Sequence, residues 1–96
     1  MAYDPGAIDA TLAAAVGDEP ALIAELRVAF VESAERTIAA IESAKDDAAW
    51  VLATARLKGL AASFGAVRLM SLAADAGVTP GNADAVRKLR RAVERL

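Results

Sequence analysis

Residues 53–66 read ATARLKGLAASFGA, and this stretch decides the fold. It forms the second half of a predicted helix that begins at Asp47 or Ala48, with Asp46 as its predicted cap, and ends at Phe64. Because an α-helix turns by about 100° per residue, its apolar residues gather on one arc. That arc predicts the core face of the helix, which consists of Trp50, Ala53, Thr54, Leu57, Leu60, Ala61 and Phe64.

The opposite side of this helix is unusually apolar for a surface that faces water. It carries Ala48, Val51, Leu52, Ala55, Lys58, Gly59 and Ala62. Gly59 lies in the middle of the helix, where glycine is less favourable than alanine by about 1 kcal/mol. A glycine at such a position indicates the close approach of another backbone or of a partner. We therefore predict a partner-binding surface that consists of Val51, Leu52, Ala55, Lys58, Gly59 and Ala62.

Four more helices are predicted from apolar residues at helical spacing and from proline and cap residues at helix starts. A short helix begins at Asp4 and Pro5 and stops at Gly17. The next begins at residues 18–20, runs to about residue 44, and has one apolar stripe: Leu22, Ile23, Leu26, Phe30, Ala34 or Thr37, Ile38 and Ile41. A helix over residues 67–76 follows. Asn82 then caps the last helix, whose inward residues are Val86, Leu89, Val93 and Leu96.

These elements predict one all-α domain over residues 1–96, an antiparallel four-helix bundle with a short additional N-terminal helix. The composition agrees, because the chain is 56% hydrophobic and rich in alanine, the best helix former. Strand-forming residues occur singly or at helical spacing, and no alternating run is long enough for a sheet.

The sequence excludes several classes of function. The absence of cysteine excludes disulfides, thiol catalysis and thiolate metal sites. There is no apolar run of about 20 residues that would span a bilayer, and the N-terminus has no signal-peptide pattern, so we expect a cytoplasmic protein without a membrane contact. We find no Gly-rich phosphate loop, nucleophile elbow or metal ligand set. We therefore expect a protein that is not an enzyme and has no cofactor or metal.

The charges are divided unevenly along the chain. Residues 1–47 contain ten acids and three bases, whereas residues 48–96 contain eight bases and three acids. In an antiparallel bundle this favours attraction between the two halves, and a field that steers a charged partner is the functional alternative. We interpret the basic cluster near the C-terminus as a solvated helix face and expect no nucleic-acid partner: Arg87, Lys88, Arg90, Arg91 and Arg95.

The stretch around Lys58 resembles the core motif of the histidine phosphotransfer (HPt) domain. In that family the motif is His-x-x-Lys-Gly, with a further glycine ten residues after the histidine. Lys58, Gly59 and Gly65 fall in this register, which places Ala55 where the phosphorylated histidine stands. The chain contains no histidine. The resemblance covers roughly residues 8–76, since the segment from Gly17 onward also looks like the family's long second helix.

The resemblance implies a fold and a function. The fold is the same four-helix bundle with a short N-terminal helix. In the family, the histidine exchanges a phosphoryl group with a receiver domain, the lysine offsets the phosphoryl charge, and the glycine allows close approach. Lys58 and Gly59 match those two residues. Ala55 offers no nucleophile, Arg56 is always protonated, and Thr54 is predicted to face the core. The expected function is therefore binding without transfer, with a response-regulator receiver domain or a histidine kinase as partner.

Two alternatives stay open at the level of the sequence. Ala55 is either a natural loss, which gives a pseudo-HPt protein, or a substitution of histidine that blocks phosphorylation of an active phosphotransfer protein. In a different class of function, the chain is a structural or oligomerisation bundle that buries the same apolar surface between two copies. We favour a monomer that binds a partner over a homodimer.

Overall fold

The structure is a computed structural model that describes residues 5–17 and 19–96. Within them the chain is helical, with no strand, and the predicted all-α class is confirmed. The helices are α1 (Pro5–Val16), α2 (Pro20–Glu42), α3 (Asp47–Ser63), α4 (Val67–Gly77) and α5 (Ala83–Glu94). The sequence predicted all five. Two ends differ slightly, since α2 stops at Glu42 instead of near Ala44, and α4 includes Gly77, which was predicted to lie in the loop.

Side-chain caps fix the starts of α3 and α5. A carboxylate oxygen of Asp46 accepts a hydrogen bond from the backbone N–H of Ala49 at 2.8 Å. The side-chain oxygen of Asn82 accepts from the N–H groups of Asp84 and Ala85. Each cap satisfies N–H groups that have no partner within the first turn of a helix. Both caps are as predicted from the sequence.

The start of α2 differs from the prediction of a capping carboxylate. The N-cap residue is Glu19, and its side chain makes no capping hydrogen bond. Pro20 in the first turn has no N–H group to satisfy and has a φ angle suited to a helix. Proline therefore accounts for this helix start without a side-chain cap. The predicted cap residues Asp4 and Asp18 lie outside the described residues.

Helices α2 to α5 form a bundle in which each helix contacts two neighbours. Helix α2 contacts α3 and α5, α4 also contacts α3 and α5, and α1 packs on α2. The loops between the four bundle helices are short, at residues 43–46, 64–66 and 78–82. Touching helices that are joined by such short loops run antiparallel. The bundle measures 42 × 24 × 17 Å.

The core receives buried apolar side chains from all five helices. Phe30 of α2 stacks on Phe64 at the end of α3, with ring centroids 4.6 Å apart and an interplanar angle of 20°. The indole Nε1 of Trp50 donates a hydrogen bond of 2.7 Å to the carbonyl oxygen of Ala76 at the end of α4. These two contacts fix α3 against α2 near one end of α3 and against α4 near the other.

Helix α3 ends in a Schellman motif. The N–H of Ala66 donates to the carbonyl oxygen of Ala61 at 2.9 Å, and the N–H of Gly65 donates to that of Ala62 at 3.2 Å. Gly65 has a φ angle of +71°, which residues with a Cβ atom rarely adopt. This turn reverses the chain and brings α4 back along α3.

Replacement of Gly65 tests this reversal. Gly65→Ala is expected to lower the free energy of unfolding by about 1–2 kcal/mol, because a left-handed backbone costs an L-residue with a Cβ atom about that much. Gly65→Asn is the matched control and should cost less, since asparagine tolerates this conformation better than alanine does. Urea denaturation measures both. Equal loss in the two variants would show that backbone conformation is not the reason for glycine here.

Candidate functional site

The candidate site depends on how α3 is rotated about its axis. Five of the predicted core residues of α3 are buried, and the other two, Leu60 and Phe64, are half-buried against the core. Thr54 is buried, and its hydroxyl donates to the carbonyl oxygen of Val51 at 2.9 Å. The predicted core face is therefore confirmed. The side of α3 opposite to it faces outward.

All six predicted partner-binding residues are exposed, and the structure brings them together on one stripe of α3. Val51 and Leu52 are large apolar side chains with 47% and 54% of their surface exposed. Ala55, Gly59 and Ala62 continue the stripe at spacings of three or four residues. With Ala48, the stripe is about 21 Å long at 1.5 Å per residue. We call this stripe the α3 face: Ala48, Val51, Leu52, Ala55, Lys58, Gly59 and Ala62.

Gly59 has no structural explanation within the chain. A Cβ atom added to Gly59 would meet no other heavy atom within 4 Å beyond its own helix backbone. Its backbone is helical, with no positive φ angle. Gly77 differs, since a Cβ atom there would lie 3.2 Å from the Oγ1 atom of Thr54. The open surface at Gly59 therefore leaves room for the backbone of another molecule.

Lys58 is the charged residue of the α3 face. No carboxylate of the described residues lies within ion-pair distance of its Nζ atom. The neighbouring Arg56 is also exposed and also lacks an ion pair in this part of the chain. Lys58 is therefore available to pair with an acidic group of a partner.

The α3 face contains few reactive groups. Ala55 is exposed at the centre of the face and offers only a methyl group. The hydroxyl of the neighbouring Thr54 is buried, about 100° around the helix from Ala55. The hydroxyl of Ser63, at the edge of the face, donates to the carbonyl oxygen of Gly59 at 3.0 Å. The α3 face therefore has an apolar surface and one cation, and carries no imidazole, carboxylate or thiol.

No protein-family model, curated protein or solved structure matches this chain. The likeness to HPt domains therefore depends on the residues of the sequence motif. The structure adds to it the outward position of Ala55, Lys58 and Gly59 on one helix.

Among the described residues, one ion pair joins the acidic half of the chain to the basic half. Arg90 of α5 donates to a carboxylate oxygen of Glu42 of α2 at 2.5 Å. Other cations of the C-terminal cluster pair locally, since Arg87 and Lys88 both approach Asp84. The hydrogen bond from Arg87 is the main cause that lowers the pKa of Asp84. Local pairing and one link to α2 thus account for three of the five predicted basic residues.

None of the described helices has the length and apolar character that a bilayer span requires.

A pocket of about 280 Å³ lies at the end of the bundle, between the α2–α3 loop and the start of α5. Three of the polar side chains that line it already have partners. Glu42 pairs with Arg90, Asp46 caps α3, and the indole N–H of Trp50 binds a backbone carbonyl. These three side chains therefore stabilise the fold.

Apolar exposure beyond α3 was not predicted from the sequence. Val67 of α4 and Val78, which follows it, are 53% and 80% exposed, and Val28 of α2 is 57% exposed. Val67 belongs to the apolar residues from which this helix was predicted, and the sequence did not indicate which of them face solvent. Its exposure follows from the way α4 packs between α3 and α5, which the pattern of one helix does not show.

Two helical glycines test the difference between an open and a packed position. Gly59→Ala is expected to raise the free energy of unfolding by up to about 1 kcal/mol, because alanine is the better helix former and its methyl group meets no neighbour. Gly77→Ala should gain less or lose stability, since its Cβ atom would crowd Thr54. Thermal and urea denaturation measure both. A destabilised Gly59→Ala variant would contradict the open surface at this position.

Two alanines of α3 test the rotation of the helix. Ala55→His should change the free energy of unfolding by less than about 0.5 kcal/mol, because position 55 is exposed and lies away from the caps. Ala53→His is the matched control, and its larger side chain should cost about 1–3 kcal/mol or more at a buried position. Denaturation curves compare them. Similar losses in both variants would contradict the outward orientation of Ala55.

Proposed function

We propose that this chain is an HPt-like binding protein of a two-component phosphorelay that docks a partner and accepts no phosphoryl group. The partner is the receiver domain of a response regulator or a histidine kinase. The observation that supports this proposal is the α3 face, where Ala55, Lys58 and Gly59 lie together on an exposed and largely apolar helix surface. These are the positions of the phosphorylated histidine, the lysine and the glycine in the HPt motif.

The physical properties of the α3 face favour docking. Burial of apolar surface stabilises a complex by roughly 25 cal/mol per Å² removed from water, before the costs of association are subtracted. Val51 and Leu52 supply this apolar surface. Gly59 allows close approach, because none of the described residues fills the space beside it. A protein that leaves such a stripe exposed along one helix has a surface suited to a partner.

Transfer is excluded by the chemistry of position 55. Phosphoryl transfer through an HPt domain needs a neutral imidazole nitrogen as the nucleophile, and Ala55 has none. The mechanism that remains is occupancy. A bound receiver is sequestered, or an active HPt domain that uses the same receiver surface is displaced.

Gly59→Gln tests the docking. In biolayer interferometry with purified receiver domains of the source organism, the wild-type chain is expected to bind at least one of them. Gly59→Gln should weaken that binding by more than about ten-fold, since ten-fold corresponds to about 1.4 kcal/mol and a side chain at this position blocks close approach. Ala39→Gln places the same side chain on an exposed position of α2 and should bind as the wild type does. Unchanged binding of Gly59→Gln would place the docking surface elsewhere.

Phosphorylation tests the second half of the proposal. A receiver that binds the chain, once phosphorylated, should leave the wild-type protein unlabelled. Ala55→His should gain an acid-labile label from the same receiver, because the new imidazole would have a pKa near 6.5 and be mostly neutral at pH 7 or above. Ala55→Gln is the control without a nucleophile. Acid-labile labelling of the wild-type chain would contradict the proposal.

A further inference from the structure

The docking surface continues from α3 onto α4. Two contacts show which edge of α4 lies against α3. The carbonyl oxygen of Ala76 accepts the hydrogen bond from Trp50. Gly77 lies close to Thr54, because a Cβ atom added to Gly77 would be only 3.2 Å from the threonine hydroxyl oxygen. The edge of α4 that contains Gly77 therefore borders α3.

The residues beside this edge are apolar and exposed. At about 100° per residue, Ala74 and Val67 lie roughly 60° and 80° from Gly77 around the helix, on the outward side. Both are exposed, and Val67 has 53% of its surface in contact with solvent. Val78 follows at the end of α4 and is 80% exposed. We call these three residues the α4 extension: Val67, Ala74 and Val78.

Lys58 lies at the edge of the α3 face that borders the α4 extension. It is four residues from Thr54, so it projects from nearly the same edge of α3, about 40° further outward. Ala55 and Leu52 lie on one side of it, and the α4 extension lies on the other. The combined surface therefore has one cation near its centre.

Among the described residues, no carboxylate forms an ion pair with this cation. Asp47 lies at the N-terminal end of α3, which is about 16 Å from Lys58 along the helix axis. Asp75 of α4 borders the opposite edge, in the groove between α4 and α5 that Leu72 and Lys88 also line. The ion pairs of the described residues do not include Lys58.

We infer that the occupant of this two-helix surface is a partner whose apolar patch carries a carboxylate opposite Lys58, and that Lys58 prevents a second copy of the chain from occupying it. An interface between two copies with two-fold symmetry uses the same surface twice. It would bury two lysines and no acid, and a buried charge without a partner is strongly unfavourable. A carboxylate on a different protein removes this cost. The inference rests on the proposed function, because it names the chemistry of the docking partner.

Sedimentation equilibrium of the full chain tests the role of Lys58. The wild-type protein should be monomeric. Lys58→Leu removes the charge from an otherwise apolar surface and should dimerise at least ten-fold more tightly than the wild type. Arg56→Leu is the matched control, because it makes the same change about 100° around α3 from Ala55, on the side away from α4. It should stay monomeric. A monomeric Lys58→Leu variant would overturn the inference.

The exposed valines test the α4 extension in the same measurement. Val67→Glu, added to Lys58→Leu, should weaken the dimer at least ten-fold. Val28→Glu is the control, since Val28 is similarly exposed but belongs to α2. It should leave the dimer intact. If the wild-type chain itself forms a dimer that Val67→Glu dissociates, a second copy occupies the surface and the inference is wrong.

Binding to a receiver domain tests the carboxylate. With the receiver that binds the wild-type chain, Lys58→Glu should weaken binding more than ten-fold and Lys58→Gln by less, while Arg56→Glu should stay within about three-fold. Equal effects at positions 56 and 58 would overturn the inference. If neither a receiver domain nor a histidine kinase of the source organism binds, the proposed function fails, and the sedimentation experiments still decide whether Lys58 and α4 belong to the surface.

Discussion

The rotation of α3 about its axis is the constraint on which the rest of this structure depends. The bond from Trp50 to the carbonyl oxygen of Ala76 and the stacking of Phe64 on Phe30 hold it at its two ends. A rotation by one residue would move every side chain by about 100° and would leave buried polar groups unpaired, each at a cost of about 1–3 kcal/mol. With this rotation fixed, Leu57 is buried and Ala55 faces solvent.

The motif that resembles HPt domains contains one residue with a role in the fold and two residues without such a role in the described structure. Gly65 serves the fold, because its positive φ angle ends α3 and reverses the chain toward α4. Gly59 and Lys58 serve nothing within the described structure, since the first has open space beside it and the second has no ion pair there. A helical glycine that lowers stability and an unpaired lysine on an apolar stripe are both explained by contact with another molecule. They therefore support a binding function more directly than Gly65 does.

In the proposed docking, charge provides the selectivity of this surface. Exposed apolar side chains by themselves bind any complementary apolar surface, including a second copy. A single lysine near the centre of such a surface changes the balance, because its burial is tolerated only opposite an acid. Elsewhere the charges serve the fold, as in the pair between Arg90 and Glu42 that links α5 to α2. The charge asymmetry of the sequence thus contributes at least one link between helices.

The sequence by itself determined the five helices, the core face of α3 and the outward stripe that includes Ala55, because periodicity and caps act within one element. It predicted the caps Asp46 and Asn82, since a cap needs only the next three residues. It did not predict the exposure of Val67, the contact of Gly77 with Thr54, or the position of Lys58 at the edge of α3 that borders α4. Only the tertiary structure decided these, because they depend on which edges of α3 and α4 meet, and contacts between helices far apart in sequence set that arrangement.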